Sequence, residues 1–156
     1  MAIAFAQESP SSGETHPVQF TEIRIPGPQD VNNSEIRFEA IDVFVDSGDQ
    51  PLAAWQLELA SRTKDVEIVG IEGGEHPAFK EPPYYDPRAM NNNRVILGAF
   101  STDSDDQLPS GRSRVARVHV QVTGPGERLW HTELTTAASS EGKKISAELS
   151  IAKAQG

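Results

Sequence analysis

Ser113-Arg114-Val115-Ala116-Arg117-Val118-His119-Val120-Gln121-Val122-Thr123 is the cleanest periodic stretch of the chain. Ala116, Val118, Val120 and Val122 alternate with Val115, Arg117, His119 and Gln121. Successive side chains of an extended chain point to opposite faces, so a period of two reads as a half-buried β-strand. The first set is predicted to face a core and the second to face solvent. No segment sustains the 3.6-residue period of an amphipathic helix. The one candidate helical turn is Asp86 to Asn91.

The same reading extends in both directions. Val18 to Ile25 alternates loosely and predicts an edge strand, closed by Pro26-Gly27-Pro28. Across Glu35 to Asp46 the apolar phase passes from Ile36, Phe38 and Ala40 to Ile41, Val43 and Val45, which predicts a β-bulge near Ala40–Ile41. Ala53, Trp55, Leu57 and Leu59 alternate with Ala54, Gln56 and Glu58, giving one buried and one wet face. Val66 to Ile71 is a short β-branched strand closed by Gly73-Gly74. Arg94 to Ser101 is apolar on both faces and predicts a central strand. Leu129 to Leu134 and Ile145 to Ile151 complete the series. Eight or nine strands, with turn signals roughly every 8–12 residues, predict an all-β, jelly-roll-type sandwich of mostly antiparallel strands.

Bulk properties narrow the function classes. The 156 residues suit one domain with a substantial core, and 37% apolar against 24% charged residues is a globular composition. A net charge of −9 with no basic stripe excludes nucleic acid as a partner and disfavours an anionic membrane surface. No apolar run approaches the roughly 18 residues of a membrane span. The absence of cysteine removes disulfides, thiolate metal sites and cysteine nucleophiles. Ala4-Phe5-Ala6 matches the A-x-A pattern before a signal-peptidase cut, and a polar run follows it. Residues 1–17 are therefore read as a signal-peptide remnant and flexible leader, residues 18–153 as a single domain, and the location as secreted, periplasmic or cell surface.

Three further stretches carry a resemblance. Ile41 to Leu59 runs strand, Gly-containing turn, then Pro51-Leu52-Ala53-Ala54-Trp55-Gln56-Leu57. Val95 to Val122 runs from Ala99-Phe100-Ser101 through Leu108-Pro109-Ser110-Gly111 into the strand quoted above. Leu134 to Leu149 contains Ser139-Ser140-Glu141-Gly142-Lys143-Lys144-Ile145 before the last strand. Together the order of these segments resembles the cohesin domains of bacterial scaffoldins, which share a sandwich with some carbohydrate-binding modules. The resemblance implies a non-catalytic module with an outer sheet face that receives a protein partner. The matching strands would expose Gln56, Glu58, Glu67, Arg117, His119 and Gln121. The segment 72–93 departs from the pattern.

That segment is the strongest functional candidate read from the residues themselves. It spans Glu72 to Asn93, holds four prolines, and carries both tyrosines, Tyr84 and Tyr85, with Phe79 and His76. Loops of this length without regular structure are often functional. Rigid aromatic rings on such a loop suit contact with a polysaccharide or a protein; the alternative is that they fold back and cap the sandwich. Trp130, beside Arg128 and His131, has the same two readings: stacking on a sugar, or packing. Glu72, Glu75, His76, Glu81 and Asp86 are considered as metal ligands but match no defined spacing. Asp103, Asp105 and Asp106 resemble part of a calcium loop without its glycine and distal glutamate, so structural calcium is the only cofactor considered. No nucleophile elbow, zinc-protease helix or phosphate loop occurs, and no carboxylate pair stands out, so no enzymatic activity is expected. The expected function is binding of a protein partner, with polysaccharide binding as the alternative and self-association as a third reading.

Overall fold

The computed structural model describes residues 19–89 and 93–155. The expected leader and Asn91 lie outside the described residues. The described residues form eight strands: β1 (Gln19–Ile25), β2 (Ile36–Asp46), β3 (Ala54–Ser61), β4 (Val66–Gly73), β5 (Arg94–Phe100), β6 (Arg112–Thr123), β7 (Arg128–Ala138) and β8 (Glu148–Lys153). They form two four-stranded sheets, a back sheet ordered β1-β7-β3-β5 and a front sheet ordered β4-β6-β2-β8. Every pairing is antiparallel. The described residues contain no α-helix, only short 3-10 turns at Pro77–Phe79, Pro87–Ala89 and Asp105–Gln107. The all-β sandwich expected from the alternation is the fold observed.

The core lies between the sheets. Ile41, Val43 and Val45 of β2 and Val118, Val120 and Val122 of β6 meet Trp55, Leu57 and Leu59 of β3 and Trp130 of β7. Burying a large apolar side chain contributes about 1.5–3 kcal/mol, so this cluster is the main stabilising term. Arg128 supports it from one end. Its guanidinium turns back into the β6–β7 turn and donates to the carbonyls of Thr123 (2.8 Å), Gly124 (3.1 Å), Pro125 (2.8 Å), Gly126 (3.0 Å) and Glu127 (3.2 Å). A tight turn leaves carbonyls without ladder partners, and one planar cation satisfies five of them.

Four expectations need correction. The bulge falls on β6 rather than on β2. Val43 pairs with Ala116 and Phe44 with Arg114, so Val115 is the extra residue, and both Val115 and Ala116 are buried. Val115 therefore faces the core, not solvent. Strand β2 runs unbroken, which puts Ile36 and Phe38 on the outer face of the front sheet at 56% and 71% exposure. Finally, β5 is an edge strand: it pairs with β3 on one side, and on the other, among the described residues, it meets Tyr84 through an isolated bridge to Gly98. Its second apolar face is exposed instead of buried, with Phe100 at 63%.

Candidate functional site

The outer face of the front sheet presents three aligned rows across β2, β6 and β4. Phe38 pairs with Gln121, and Gln121 with Glu67. Ala40 pairs with His119, and His119 with Gly70. Asp42 pairs with Arg117, and Arg117 with Glu72. In a pleated sheet such cross-strand partners share one face and touch. Along β2 these positions grade from apolar Phe38 to charged Asp42, while β4 carries a carboxylate at each end, Glu67 and Glu72.

The charged end is an ordered network. The Arg117 guanidinium donates to both Asp42 carboxylate oxygens, from Nε at 2.6 Å and Nη2 at 3.3 Å. His119 Nε2 bonds the Glu72 carboxylate. That bond, more than the nearby charges of His119, Arg117 and Arg114, holds the Glu72 carboxyl below its ordinary value of 4.5. Next to it, the Arg112 guanidinium lies 3.7 Å over the ring of Phe44. Gly70 lies across from His119, and a Cβ there would meet His119 Cβ at an ordinary contact distance of 3.6 Å. A bulge in β4 lies between Ile68 and Gly70 and leaves Val69 exposed beside this ring.

The apolar end is open. Phe38 and Ile36 are large hydrophobic side chains on a strand whose core contribution comes from Ile41, Val43 and Val45 on the other face. Folding alone does not require them there. Exposed aromatic and aliphatic side chains next to a rim of fixed polar groups are the composition of a protein-docking surface.

The structure divides the residues singled out in the sequence. Glu67, Arg117, His119 and Gln121 share this front face. Gln56 and Glu58 lie on the outer face of the back sheet, opposite Gly98 and Ile96. The long segment 72–93 is likewise split. Phe79 is buried and meets Trp55 edge to face at 6.3 Å, and Tyr85 packs half-buried against the core. Both follow the capping alternative. Tyr84 alone points out, at 73% exposure. His76 Nδ1 accepts from the Ala78 N–H at 3.0 Å and caps the Pro77–Phe79 turn, so its visible role is local. Trp130 is 1% exposed and belongs to the core, which removes it from any surface. Its inward phase matches that of Thr132 and Leu134, a signal the sequence contained but which the neighbouring Arg128 and His131 obscured.

The acidic residues remain dispersed. Asp105 accepts from the Ser140 hydroxyl and Asp106 from the Ser104 hydroxyl, each at 2.6 Å. The Ser101 hydroxyl accepts from the Asp103 N–H at 3.1 Å. Among the described residues no three His, Asp or Glu side chains converge as metal ligands. Among the described residues no helix is long and apolar enough to cross a membrane.

Sequence reasoning did not find Ile36, Phe38 or Val69 as surface residues. The first two are apolar in an apolar strand, and period alone does not say which face is buried.

No protein-family model matches the chain, and no curated protein matches it in sequence. Similarity appears in the fold. A chain of a type I cohesin–dockerin complex from Clostridium thermocellum superposes with a TM-score of 0.55 at 10% identity, over 85% of this chain and 96% of that one. A non-cellulosomal cohesin from the hyperthermophilic archaeon Archaeoglobus fulgidus gives 0.51 at 12% identity, over 86% and 91%. The seventh ScaB type I cohesin from Pseudobacteroides cellulosolvens gives 0.52 at 6% identity, over 86% and 92%. The sandwich is therefore cohesin-like, as the order of the three sequence stretches suggested.

Proposed function

We propose that this domain is a non-catalytic protein-docking module, and that its docking surface is the outer face of the front sheet. One observation carries the reading: Phe38 and Ile36 stand exposed at one end of a face whose other end is an ordered set of hydrogen-bonded polar and charged side chains. Apolar anchors supply affinity by excluding water, and the fixed charges select orientation and partner. Support comes from the cohesin-like fold, since one of the similar structures is a cohesin bound to a dockerin. The domain works outside the cell or at its surface, the setting that the signal-like residues Ala4-Phe5-Ala6 suggest.

A photo-activated cross-linker at position 38 tests this. Exposed to the secreted and envelope proteins of the native host, it yields one dominant adduct. The same group at Arg24, exposed on the back sheet, does not. Equal, diffuse labelling from both positions would overturn the assignment.

A further inference from the structure

The back sheet carries a second surface that the docking reading leaves unused. On the outward side of β5, Ile96 and Phe100 flank Gly98. Tyr84 joins this edge through two backbone bonds: its N–H donates to the Gly98 carbonyl at 2.8 Å, and the Gly98 N–H donates to its carbonyl at 3.1 Å. The rings of Tyr84 and Phe100 then stand near-parallel, 14° between planes and 6.4 Å between centroids. A side chain on Gly98 would point toward Gln56 Cβ at 3.9 Å; without one, bare backbone separates the rings from the exposed Gln56 amide. The result is a strip of two exposed, stacked aromatic rings with an open floor and a polar group at its side.

Neither ring belongs to the core, yet Tyr84 is held in place and stacks on Phe100. Tyr84 is pinned to the sheet edge, the preceding Pro83 is buried, and the following Tyr85 packs against the core. A pre-set aromatic surface loses little conformational entropy on binding, which is what makes it effective as a platform.

The electrostatics select the ligand. In a chain of net charge −9 the strip carries no charged side chain. Charges on the neighbouring positions are mostly paired: Arg94 donates to Glu58 at 2.5 and 3.1 Å, with Glu133 beside that pair, and Arg88 donates to Asp86 at 3.2 Å. An acidic polymer or a second copy of this chain meets overall repulsion. A neutral ligand with a flat C–H face and peripheral hydroxyls meets none. We propose that Tyr84, Phe100 and Gln56 form a binding site for a neutral glycan, the C–H face of a sugar ring resting on the aromatic rings and a hydroxyl reaching the Gln56 amide.

The test is electrophoresis of the full chain through native gels that contain a soluble β-glucan, a xyloglucan or a galactomannan. At least one of the three retards the wild-type domain. Tyr84→Ala and Phe100→Ala each weaken that retardation about tenfold, the effect of losing roughly 1.4 kcal/mol of contact. Gln56→Ala removes only the amide and weakens it less, while Tyr84→Phe keeps the ring and retains it. These last two variants leave the packing untouched and hold the test open if an alanine variant misfolds. Phe38→Glu, on the opposite sheet, leaves retardation unchanged. Retardation by none of the three gels, or retardation that survives loss of both rings, would overturn the glycan site. Loss of a captured protein in Tyr84→Ala, with no polysaccharide effect, would assign the strip to a protein instead. Failure of the front-sheet reading is distinguishable, since it appears as unchanged protein capture by Phe38→Glu.

Discussion

Asp42 and Arg117 face each other across β2 and β6 and share two hydrogen bonds, with Asp42 only 13% exposed. Arg114 approaches the same carboxylate at 3.9 Å. This fork-to-fork pair fixes the charged end of the front face in one geometry, so the domain presents a partner with a formed surface rather than with mobile side chains. A double-mutant cycle of Arg117→Ala and Asp42→Ala is expected to give a coupling of about 1 kcal/mol, at the upper end for pairs near a surface because the carboxylate is largely covered. Urea denaturation of the four proteins measures it. A coupling indistinguishable from zero would mean that the pair does not order the face.

The bond between His119 and Glu72 makes the same face sensitive to pH. The carboxyl is depressed below 4.5 in the folded protein, chiefly by the hydrogen bond from His119. A depressed carboxyl contributes stability that is fully present above its unfolded value and is lost as pH falls through its folded one. The contribution is therefore whole above about pH 4.5 and declines in more acidic solution. His119→Ala removes the principal cause. Carbon-detected NMR titration of Glu72 should then show its midpoint moving up toward 4.5, and the acid limb of the stability profile should flatten. An unmoved midpoint would rule out His119 as the cause.

Arg128 gives a larger effect on stability. Its side chain is buried, and it satisfies five carbonyls of one turn. Arg128→Met keeps much of the volume but removes the donor these carbonyls share, although Gly124 still accepts from Arg37 Nη1 at 2.6 Å. Each unsatisfied buried group costs about 1–3 kcal/mol, and partial hydration of the turn recovers some of it, so a net loss of about 3 kcal/mol is expected. For a domain of this size that lowers Tm by roughly 6–12 °C in a calorimetric scan. A loss under about 1 kcal/mol would mean that water replaces the guanidinium freely.

Legibility followed the alternation. Where one face is apolar and the other polar, as in 53–59 and 116–122, the sequence placed every inward residue correctly. Where both faces are apolar it did not. The phase change at Ala40–Ile41 looked like a bulge, but it is the boundary between a surface patch and the core on an unbroken strand. The apolar second face of β5 looked like burial, but it is an exposed edge. Both errors fall on residues that packing does not explain, which is where function departs from folding. The segment 72–93 was legible as unusual but not as divided. Its division depends on Gly73 and Gly74, which lie so close to the backbone of Lys80 and Arg114 that a side chain would collide at 2.1 and 2.2 Å.

Those glycines supply a further test. Gly73→Ala forces apart β4 and the backbone of Lys80, which cannot yield as a flexible side chain can. The expected cost is above about 2 kcal/mol, with faster hydrogen exchange across residues 74–83. Gly48→Ala is the contrasting case: nothing lies within 4 Å, and only its φ of +66° opposes the change, for about 1 kcal/mol. Equal losses for the two would contradict the close approach as the cause.

The adjacent tyrosines should separate in the same way. Tyr85 packs against the core and Tyr84 does not. Tyr85→Ala is expected to cost about 2 kcal/mol by urea denaturation, and Tyr84→Ala less than about 0.5. The reverse order would make Tyr84 the structural residue and remove the reason to regard it as a surface feature.

The central claim is that the front face docks a protein, and the most direct measurement compares capture by the immobilised wild-type domain with capture by Phe38→Glu. Both are presented with the secreted and envelope fractions of the native host, and bound proteins are quantified by mass spectrometry. Phe38 is 71% exposed, so the substitution leaves the fold intact while placing a charge at the apolar end of the face. The account predicts one stoichiometric protein on the wild-type domain, reduced at least about tenfold on the variant. Undiminished capture of that protein by Phe38→Glu would contradict it.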